Sequence, residues 1–166
     1  MIRRLILILL LSLSTVTAQA AVNMFLEIEG VKGESQDTEH SEKIDILAWS
    51  WGTSTDGRRV CIQDLSLTKY TDVASPPLLM SQVSNTHFPT AVLTVSAVGA
   101  RGELINTVVL ELTDVYVSSI STGGSWGEDR LTENVTLNFD QLKYSYTPSD
   151  NPKQKVSATI SSEKCK

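Results

Sequence analysis

Ser121-Thr-Gly-Gly-Ser-Trp-Gly-Glu-Asp-Arg-Leu-Thr-Glu-Asn-Val-Thr-Leu-Asn-Phe-Asp-Gln-Leu-Lys-Tyr-Ser-Tyr146 is a glycine-rich, charged loop that leads straight into a long alternating strand. Apolar residues alternate with polar ones as far as Phe139 and resume in the opposite phase at Leu142. One extra residue in a long strand is what a β-bulge provides, and a bulge bends a strand around the corner of a barrel. The stretch therefore predicts a curved sheet that closes on itself.

A period of two dominates the rest of the chain. Residues 25–30, 91–98 and 104–112 alternate between apolar and polar side chains and are rich in Val, Ile and Thr. This alternation is typical of half-buried antiparallel strands. The sequence therefore predicts a mainly β protein.

One segment, Ser75-Pro-Pro-Leu-Leu-Met-Ser-Gln-Val-Ser84, reads as a helix. Ser75 is predicted to be its N-cap, and the two prolines occupy first-turn positions that tolerate a missing N–H. Leu79, Met80 and Val83 share one face at helical spacing. We expect that face to pack on the barrel wall.

Residues 1–20 carry the three parts of a secretory signal peptide. Arg3 and Arg4 precede an apolar run, and an Ala-x-Ala pattern ends at Ala20, which places cleavage before Ala21. The apolar run is shorter than the roughly 20 residues that span a bilayer. We therefore expect an exported chain with no stable membrane anchoring.

Removal of this leader leaves residues 21–166, which fit one domain of ordinary size. The loss of Arg3 and Arg4 changes the formal net charge from −5 to −7. An acidic chain without a basic stripe binds nucleic acid poorly. We therefore expect no nucleic-acid partner.

Three segments, in this order, resemble the Hcp (haemolysin-coregulated protein) family, the tube protein of type VI secretion. They are Met24-Phe-Leu-Glu-Ile-Glu-Gly-Val-Lys-Gly-Glu-Ser35, Ile44-Asp-Ile-Leu-Ala-Trp-Ser-Trp-Gly52 and the loop and strand of residues 121–146. The likeness runs from about Met24 to Pro148. It implies a β-barrel of two antiparallel sheets with one flanking α-helix, formed by residues 21–166.

The resemblance also implies a function that lies in surfaces. Family members form homohexameric rings that stack into a tube inside a contractile sheath, carry effectors in the lumen, and use no cofactor or chemistry of their own. The loop that contacts the next ring corresponds here to a short polar segment, and residues 156–160 correspond to a reduced final strand. The loop residues are Thr53, Ser54, Thr55, Asp56, Gly57, Arg58 and Arg59.

A cleavable leader is unusual for tube subunits, which are expected to assemble in the cytoplasm with sheath or spike components. An alternative therefore stays open, namely an exported binding module, periplasmic or extracellular, that keeps the Hcp fold but forms no tube. The two hypotheses predict different masses in solution.

The two cysteines admit several states. Cys61 and Cys165 can pair in an oxidising compartment if their Cα atoms approach within about 7 Å. The favoured interpretation is that Cys61 is a small buried side chain and Cys165 a free thiol in the tail. An exposed Cys165 could also link neighbouring subunits. The cysteines and histidines lack the spacing of a zinc site.

One enzyme motif is present, since Gly123-Gly-Ser-Trp-Gly127 matches G-x-S-x-G. A nucleophile elbow needs a helix after the serine, and an acid and a histidine later in the chain. Here a strand follows and both His40 and His87 come earlier, so each histidine is interpreted as a surface or packing residue. A hydrolase using Ser125 remains only a hypothesis to test, and no catalytic residue is predicted.

Acidic and aromatic clusters have structural interpretations. The acidic groups at 37–45 and 128–133 lack the calcium-loop pattern and are interpreted as solvated loop charges. Trp49 and Trp51 are two residues apart on one strand, so they share a face. We expect both to pack in the core or in a subunit interface.

Overall fold

The computed structural model describes residues 22–99 and 103–161. This part of the chain forms ten strands and one helix. In chain order they are β1 (Asn23–Ile28), β2 (Ile44–Ser50), β3 (Thr53–Thr55), β4 (Val60–Ile62), β5 (Leu65–Tyr70), α1 (Ser75–Val83), β6 (His87–Val98), β7 (Leu104–Gly123), β8 (Thr132–Asn138), β9 (Gln141–Tyr146) and β10 (Val156–Ser161).

The predicted leader and its cleavage point between Ala20 and Ala21 lie outside the described residues. Within those residues, α1 is too short to cross a bilayer, and no other helix is a candidate to do so.

Six strands close a barrel. Their order is β7-β6-β1-β2-β5-β8, with β8 pairing back onto β7, and every neighbouring pair is antiparallel. Strands β9 and β10 extend the sheet from another part of β7, while β3 and β4 form a separate two-stranded hairpin. The predicted mainly β barrel with one flanking helix is confirmed.

Strand β7 bends in the middle, and its two halves pair with different strands. Residues 108–113 pair with β9, and residues 116–123 pair with β8. Asp114, between them, has a positive φ of 49°. Aspartate tolerates this left-handed region better than most residues. The bend allows one continuous strand to pair with β9 in its first half and with β8 in its second half.

The apolar alternation reverses where the sequence predicts, but through a break rather than a bulge. Phe139, just after β8, and Leu142, in β9, are both buried. Between them the backbone N–H of Asp140 donates to the carbonyl of Thr113, next to the bend of β7. The predicted bulge in this strand is therefore wrong, because the chain leaves one part of β7 and joins another.

Aliphatic side chains from the barrel strands and the helix fill the interior. Each side chain of this size contributes roughly 1.5–3 kcal/mol when it is fully buried. The largest fully buried apolar residues are Leu26, Ile44, Leu65, Leu67, Leu78, Leu93, Leu110, Leu112, Val115, Leu137 and Leu142. Burial on this scale in one connected cluster makes the barrel the rigid frame of the protein.

The start of α1 differs from the prediction. The N-cap is Ala74, which makes no side-chain capping bond, and Ser75 is the first helical residue. The Ser75 hydroxyl accepts the backbone N–H of Asp72 and donates to Glu133 Oε1 at 2.7 Å. The prediction of Ser75 as N-cap is therefore wrong, because its side chain joins the helix to the barrel instead.

The packed face of α1 also differs from the prediction. Leu79, Met80 and Val83 are 49, 63 and 74% exposed, whereas Leu78 and Ser81 are buried. Leu78 and Leu79 are adjacent and lie on different faces of this nine-residue helix. Helical periodicity alone therefore does not identify the face that packs on the barrel. The tether through Ser75 fixes the rotation of the helix.

The polar loop between β1 and β2 lies closely against the barrel. The N–H of Gly33 donates to the carbonyl of Glu42 at 2.7 Å, and that of Ser35 donates to the carbonyl of Lys43 at 3.0 Å. A Cβ atom at Gly33 would overlap the Lys43 carbonyl group. Only glycine allows the two backbones to approach this closely.

Replacement of Gly33 by alanine should therefore lower the free energy of unfolding by roughly 1–3 kcal/mol, as overpacking against rigid backbone does. Urea unfolding monitored by tryptophan fluorescence measures the change. Gly123→Ala is the matched control, because a Cβ atom there meets nothing within 4 Å. Equal stability of the two variants would contradict this account of the loop.

Candidate functional site

The G-x-S-x-G segment lies where β7 ends and the loop to β8 begins. Ser125 is exposed, and the element that follows the loop is a strand. The motif thus lacks the strand-to-helix turn that presents a catalytic serine. The segment instead forms part of the connection between the paired strands β7 and β8.

The two histidines have the structural environments that the sequence suggests. His40 is buried, and its ring stacks on Phe25 with 4.3 Å between centroids. His87 is exposed, with Nδ1 2.9 Å from Asp114 Oδ1 and its ring beside Tyr116. The predictions of packing and surface roles are confirmed.

The acidic clusters divide into two kinds. Asp37 Oδ1 accepts the backbone N–H groups of Glu39 and His40, so it organises its own loop. Glu133, by contrast, is 3% exposed, so its interpretation as a solvated charge is wrong. Within residues 22–99 and 103–161, no group of three potential metal ligands comes together.

Lys69 is the partner of Glu133. The two residues are directly opposed in the β5–β8 register, and Lys69 Nζ lies 2.8 Å from Glu133 Oε1. Lys69 also donates to Asp72 Oδ1 at 2.7 Å, to Ser75 Oγ at 3.0 Å and to the carbonyl of Tyr70 at 2.7 Å. This buried polar cluster joins β5, β8 and the start of α1.

This buried cluster was not predicted from the sequence, although the sequence contains a signal for it. Lys69 follows Leu65 and Leu67 at inward positions, and Glu133 precedes Val135 at an inward position. Charges of opposite sign at inward positions of two strands indicate a buried pair, because an unpaired charge there is strongly unfavourable.

The predicted ring-contact loop forms the tip of a β-hairpin. Residues 53–55 are β3, residues 56–59 turn the chain, and β4 returns it. Every residue from Thr53 to Val60 is exposed, and the hairpin is not paired with the main sheet. It therefore forms a short, exposed, polar hairpin outside the barrel sheet, with Arg58 and Arg59 in its turn.

Asp56 holds this turn together. Its Oδ1 accepts the backbone N–H groups of Arg59 and Arg58, at 2.8 Å each. These bonds lower the pKa of the Asp56 carboxyl below its usual value of 3.8. A lowered folded-state pKa gives stability that is present above the unfolded value and is lost as pH falls through the folded value.

NMR titration should therefore give Asp56 a midpoint below 3.8, and the amide signals of Arg58 and Arg59 should shift with the same midpoint. Asp56→Asn keeps an acceptor oxygen but does not titrate, so its turn amides should stay unchanged over this range. A wild-type midpoint at or above 3.8 would show that the turn bonds do not form.

The tryptophans pack at the edge of the core. Trp49 in β2 and Trp51 just after it are both partly buried and contact the central apolar cluster. This confirms the prediction that they pack rather than stand free. Trp126, in the loop before β8, is fully exposed.

One outer wall of the barrel is uncharged and, apart from Ala48, polar. Four neighbouring strands align here, so that Ser50, Ser66, Thr136 and Ser119 form one row of opposed residues and Ala48, Thr68, Asn134 and Ser121 form the next. Thr68 Oγ1 donates to Asn134 Oδ1 at 2.8 Å. We call these eight residues the neutral wall.

Strand β10 is the most open element of the main sheet. It pairs with β9 alone, so its outer edge is free. All of its residues are exposed except Ile160, which is half-buried, and Val156 is 56% exposed. An open edge with both faces solvated is a natural surface for another chain.

Cys61 lies in β4, outside the barrel core, and is half-buried rather than buried. Its sulfur is disulfide-bonded. The favoured prediction of a free, buried Cys61 is therefore wrong, because the hairpin lies outside the barrel. Cys165 lies outside the described residues.

These features define a β-barrel protein whose distinctive parts are surfaces: a projecting hairpin, a neutral wall and an open edge strand. The family model described as "Type VI secretion system effector, Hcp" matches residues 25–146. The chain therefore belongs to the Hcp family and is a secreted protein of the type VI secretion system, which confirms the resemblance.

Individual relatives agree with this assignment. The chain is 49% identical over 138 residues to "Protein hcp1" of Pseudomonas aeruginosa strain PAO1, with 77% of this chain and 85% of that protein covered. It is similar to the crystal structure of Hcp1 from Salmonella typhimurium, with a TM-score of 0.74, 29% identity, and coverage of 85 and 94%. A type VI secretion effector from Yersinia pestis is similar at a TM-score of 0.72 and 25% identity, with coverage of 83 and 98%.

Proposed function

We propose that the protein is a structural subunit that assembles into a homohexameric ring, and that the rings stack into a secretion tube. The observation that carries the proposal is β10, which is open at its outer edge and solvated on both faces. A strand of this kind gains apolar burial and backbone partners when a neighbouring subunit covers it. Family membership supports the same assembly.

Ring closure requires each subunit to offer two different faces to its two neighbours. β10 provides one such face, because it lies at the open end of the eight-stranded order, whereas the six barrel strands are paired on both sides. Val156, Ala158 and Ile160 alternate along it, so one side of the strand is apolar. A rotated copy can cover this side in each of the six interfaces.

The neutral wall is proposed to face the lumen of the ring. Each exported chain carries a formal charge of −7, so six charged walls facing one another would repel strongly. Hydroxyl and amide groups avoid this repulsion and can form hydrogen bonds with many cargo surfaces. Type VI secretion effectors are the proposed cargo of this lumen.

The hairpin is proposed to contact the next ring. Its exposed turn carries Arg58 and Arg59 on an otherwise acidic protein, so it complements the acidic surface of another copy. Sheath or spike components are the further partners proposed for the assembled tube. No catalytic residue, metal or cofactor takes part in this role.

Residues 1–20 are proposed to direct export, after which the ring forms from residues 21–166. The alternative is an exported binding module that keeps the fold without the assembly. The two differ in a single measurable property, the number of protomers in solution.

Light scattering on residues 21–166 tests the proposal, together with the variant Val156→Asp. The wild-type mass should be six times that of a protomer. The charge introduced into β10 should reduce the mass to that of a single protomer. Val98→Asp is the matched control, since Val98 is also exposed but lies on β6. A monomeric wild type would favour the binding module, and a hexameric Val156→Asp variant would remove β10 from the interface.

A further inference from the structure

The loop between β7 and β8 holds an aromatic side chain out in solvent. The backbone N–H of Glu128 donates to the carbonyl of Ser125 at 3.3 Å, and Gly127 has a positive φ of 94°. These features define a tight turn with glycine in its third position. Trp126 occupies the second position and is fully exposed, so its ring is available to fill a pocket on another molecule. We call residues 124–129 the acidic loop.

The acidic loop carries negative charge that the protomer does not neutralise. Glu128 and Asp129 are exposed, and neither forms an ion pair with any residue that the structure describes. The neighbouring cation, Arg130, instead lies over the ring of Tyr70, with its guanidinium carbon 3.8 Å from the ring centroid. Both carboxylates are therefore available to cations on another molecule.

A groove with the opposite charge lies between the hairpin and the end of β10. It has a volume of about 520 Å³, and its lining includes the aliphatic side chains of Val60, Ile62 and Ile160. Arg58 and Arg59 also line it, and across the described part of the chain their side chains have no ion-pair partner. An apolar pocket with a few charged groups is suited to an aromatic side chain that has acidic neighbours.

The groove and the acidic loop lie at opposite ends of the β5–β8 strand pair. At one end Leu65, the first residue of β5 after the hairpin, pairs with Leu137. At the other end Tyr70 pairs with Thr132, the first residue of β8 after the loop. Two complementary surfaces at opposite ends of a subunit form a head-to-tail contact, which repeats along a filament when it does not close into a ring.

We propose that the acidic loop of one subunit docks into the groove of a subunit in the next ring. Trp126 packs on the aliphatic residues of the groove. Glu128 and Asp129 lie against its two arginines. This inference rests on the proposed stacking of rings, and it adds the surface that receives the hairpin. Every ring then offers grooves at one end and acidic loops at the other.

The docking explains how an acidic chain can bind its own copies end to end. Whole subunits with a net negative charge repel one another. At this contact two carboxylates meet two guanidinium groups, and arginine can bind a carboxylate through paired hydrogen bonds. Burial of the Trp126 ring adds an apolar contribution, so the contact combines charge complementarity with an aromatic anchor.

Charge reversal on the two surfaces tests the docking. One double variant carries Arg58→Glu and Arg59→Glu, and the other carries Glu128→Arg and Asp129→Arg. Each variant alone should form single rings and should contain at least about tenfold fewer stacked rings than wild type, because its groove and acidic loop then carry the same sign. An equimolar mixture of the two ring preparations should stack again, since each groove then meets a loop of opposite charge. Electron microscopy counts the rings in each stack.

A fourfold variant with both reversals is the matched control, because its net charge equals that of wild type. It should stack on itself. Double variants that stack alone as well as wild type does would overturn the docking, and so would a mixture and a fourfold variant that both fail to stack. Light scattering separates these outcomes from a failure of the ring. Hexameric wild-type rings without stacks would overturn the docking alone, whereas a monomeric wild type would overturn the ring and the docking together.

Trp126→Ala tests the aromatic part of the contact. Stacked rings should decrease at least about tenfold, as when a tryptophan at the centre of an interface is truncated. The melting temperature should not change, because the Trp126 side chain is fully exposed in the protomer. Met80→Ala, which shortens a 63% exposed side chain on α1, should stack as wild type does. Unchanged stacking of Trp126→Ala would overturn the role of Trp126 as the anchor.

Discussion

Lys69→Met should lower the free energy of unfolding by about 3–5 kcal/mol, because it leaves buried carboxylates without their cation. Lys69 is 1% exposed, and both Glu133 and Asp72 depend on its ammonium group. Methionine keeps the volume and the apolar stem, so the loss reports the charge and its hydrogen bonds. Urea unfolding at a fixed protomer concentration measures it.

Lys143→Met provides the matched control. Lys143 pairs with Glu111 across β9 and β7 at 3.0 Å, but both side chains are 41% exposed. Ion pairs of this kind contribute roughly 1 kcal/mol or less. A second variant, Lys69→Met with Glu133→Leu, should recover part of the loss, since it removes one buried charge. Equal effects at Lys69 and Lys143 would contradict the burial of the cluster.

Leu78→Ala should cost about 2–5 kcal/mol, as removal of a fully buried leucine does. Leu78 is 0% exposed and is the side chain by which α1 packs on the barrel. Leu79→Ala, at the next position, removes the same atoms from a side chain that is 49% exposed, so it should cost less than about 1 kcal/mol.

The comparison between these two variants tests the rotation of the helix. If Leu79 packed on the barrel, as its spacing with Met80 and Val83 suggested, the two effects would be reversed. Thermal or urea unfolding of both variants at one protomer concentration decides between the orientations. Equal losses would mean that α1 packs through neither face alone.

The barrel could be predicted from the sequence because its signals are local. Alternation along the strands marked the inward residues, and the reversal between Phe139 and Leu142 marked the corner. The sequence could not show that this reversal is a break between two strands and not a bulge. The break depends on the pairing of β8 and β9 with different parts of β7. In the strands, the local pattern determines which face is buried, and long-range pairing determines how the chain turns.

The assembly surfaces divide in the same way. The hairpin position at residues 53–59 came from resemblance, and the structure places an exposed turn there. Alternation placed Lys69 and Glu133 at inward positions, but their pairing depends on the register of two distant strands. The packed face of α1 depends on contacts with the barrel, which the spacing within the helix did not indicate. The neutral wall became visible only when the register of four strands was known.

Electron microscopy of negatively stained residues 21–166 tests the central claim most directly, since it shows symmetry and an open centre together. We expect end-on views of rings with sixfold symmetry and a stain-filled lumen, and side views of stacked rings. Small compact particles without a central opening would contradict ring assembly and leave the exported binding module as the function of this fold.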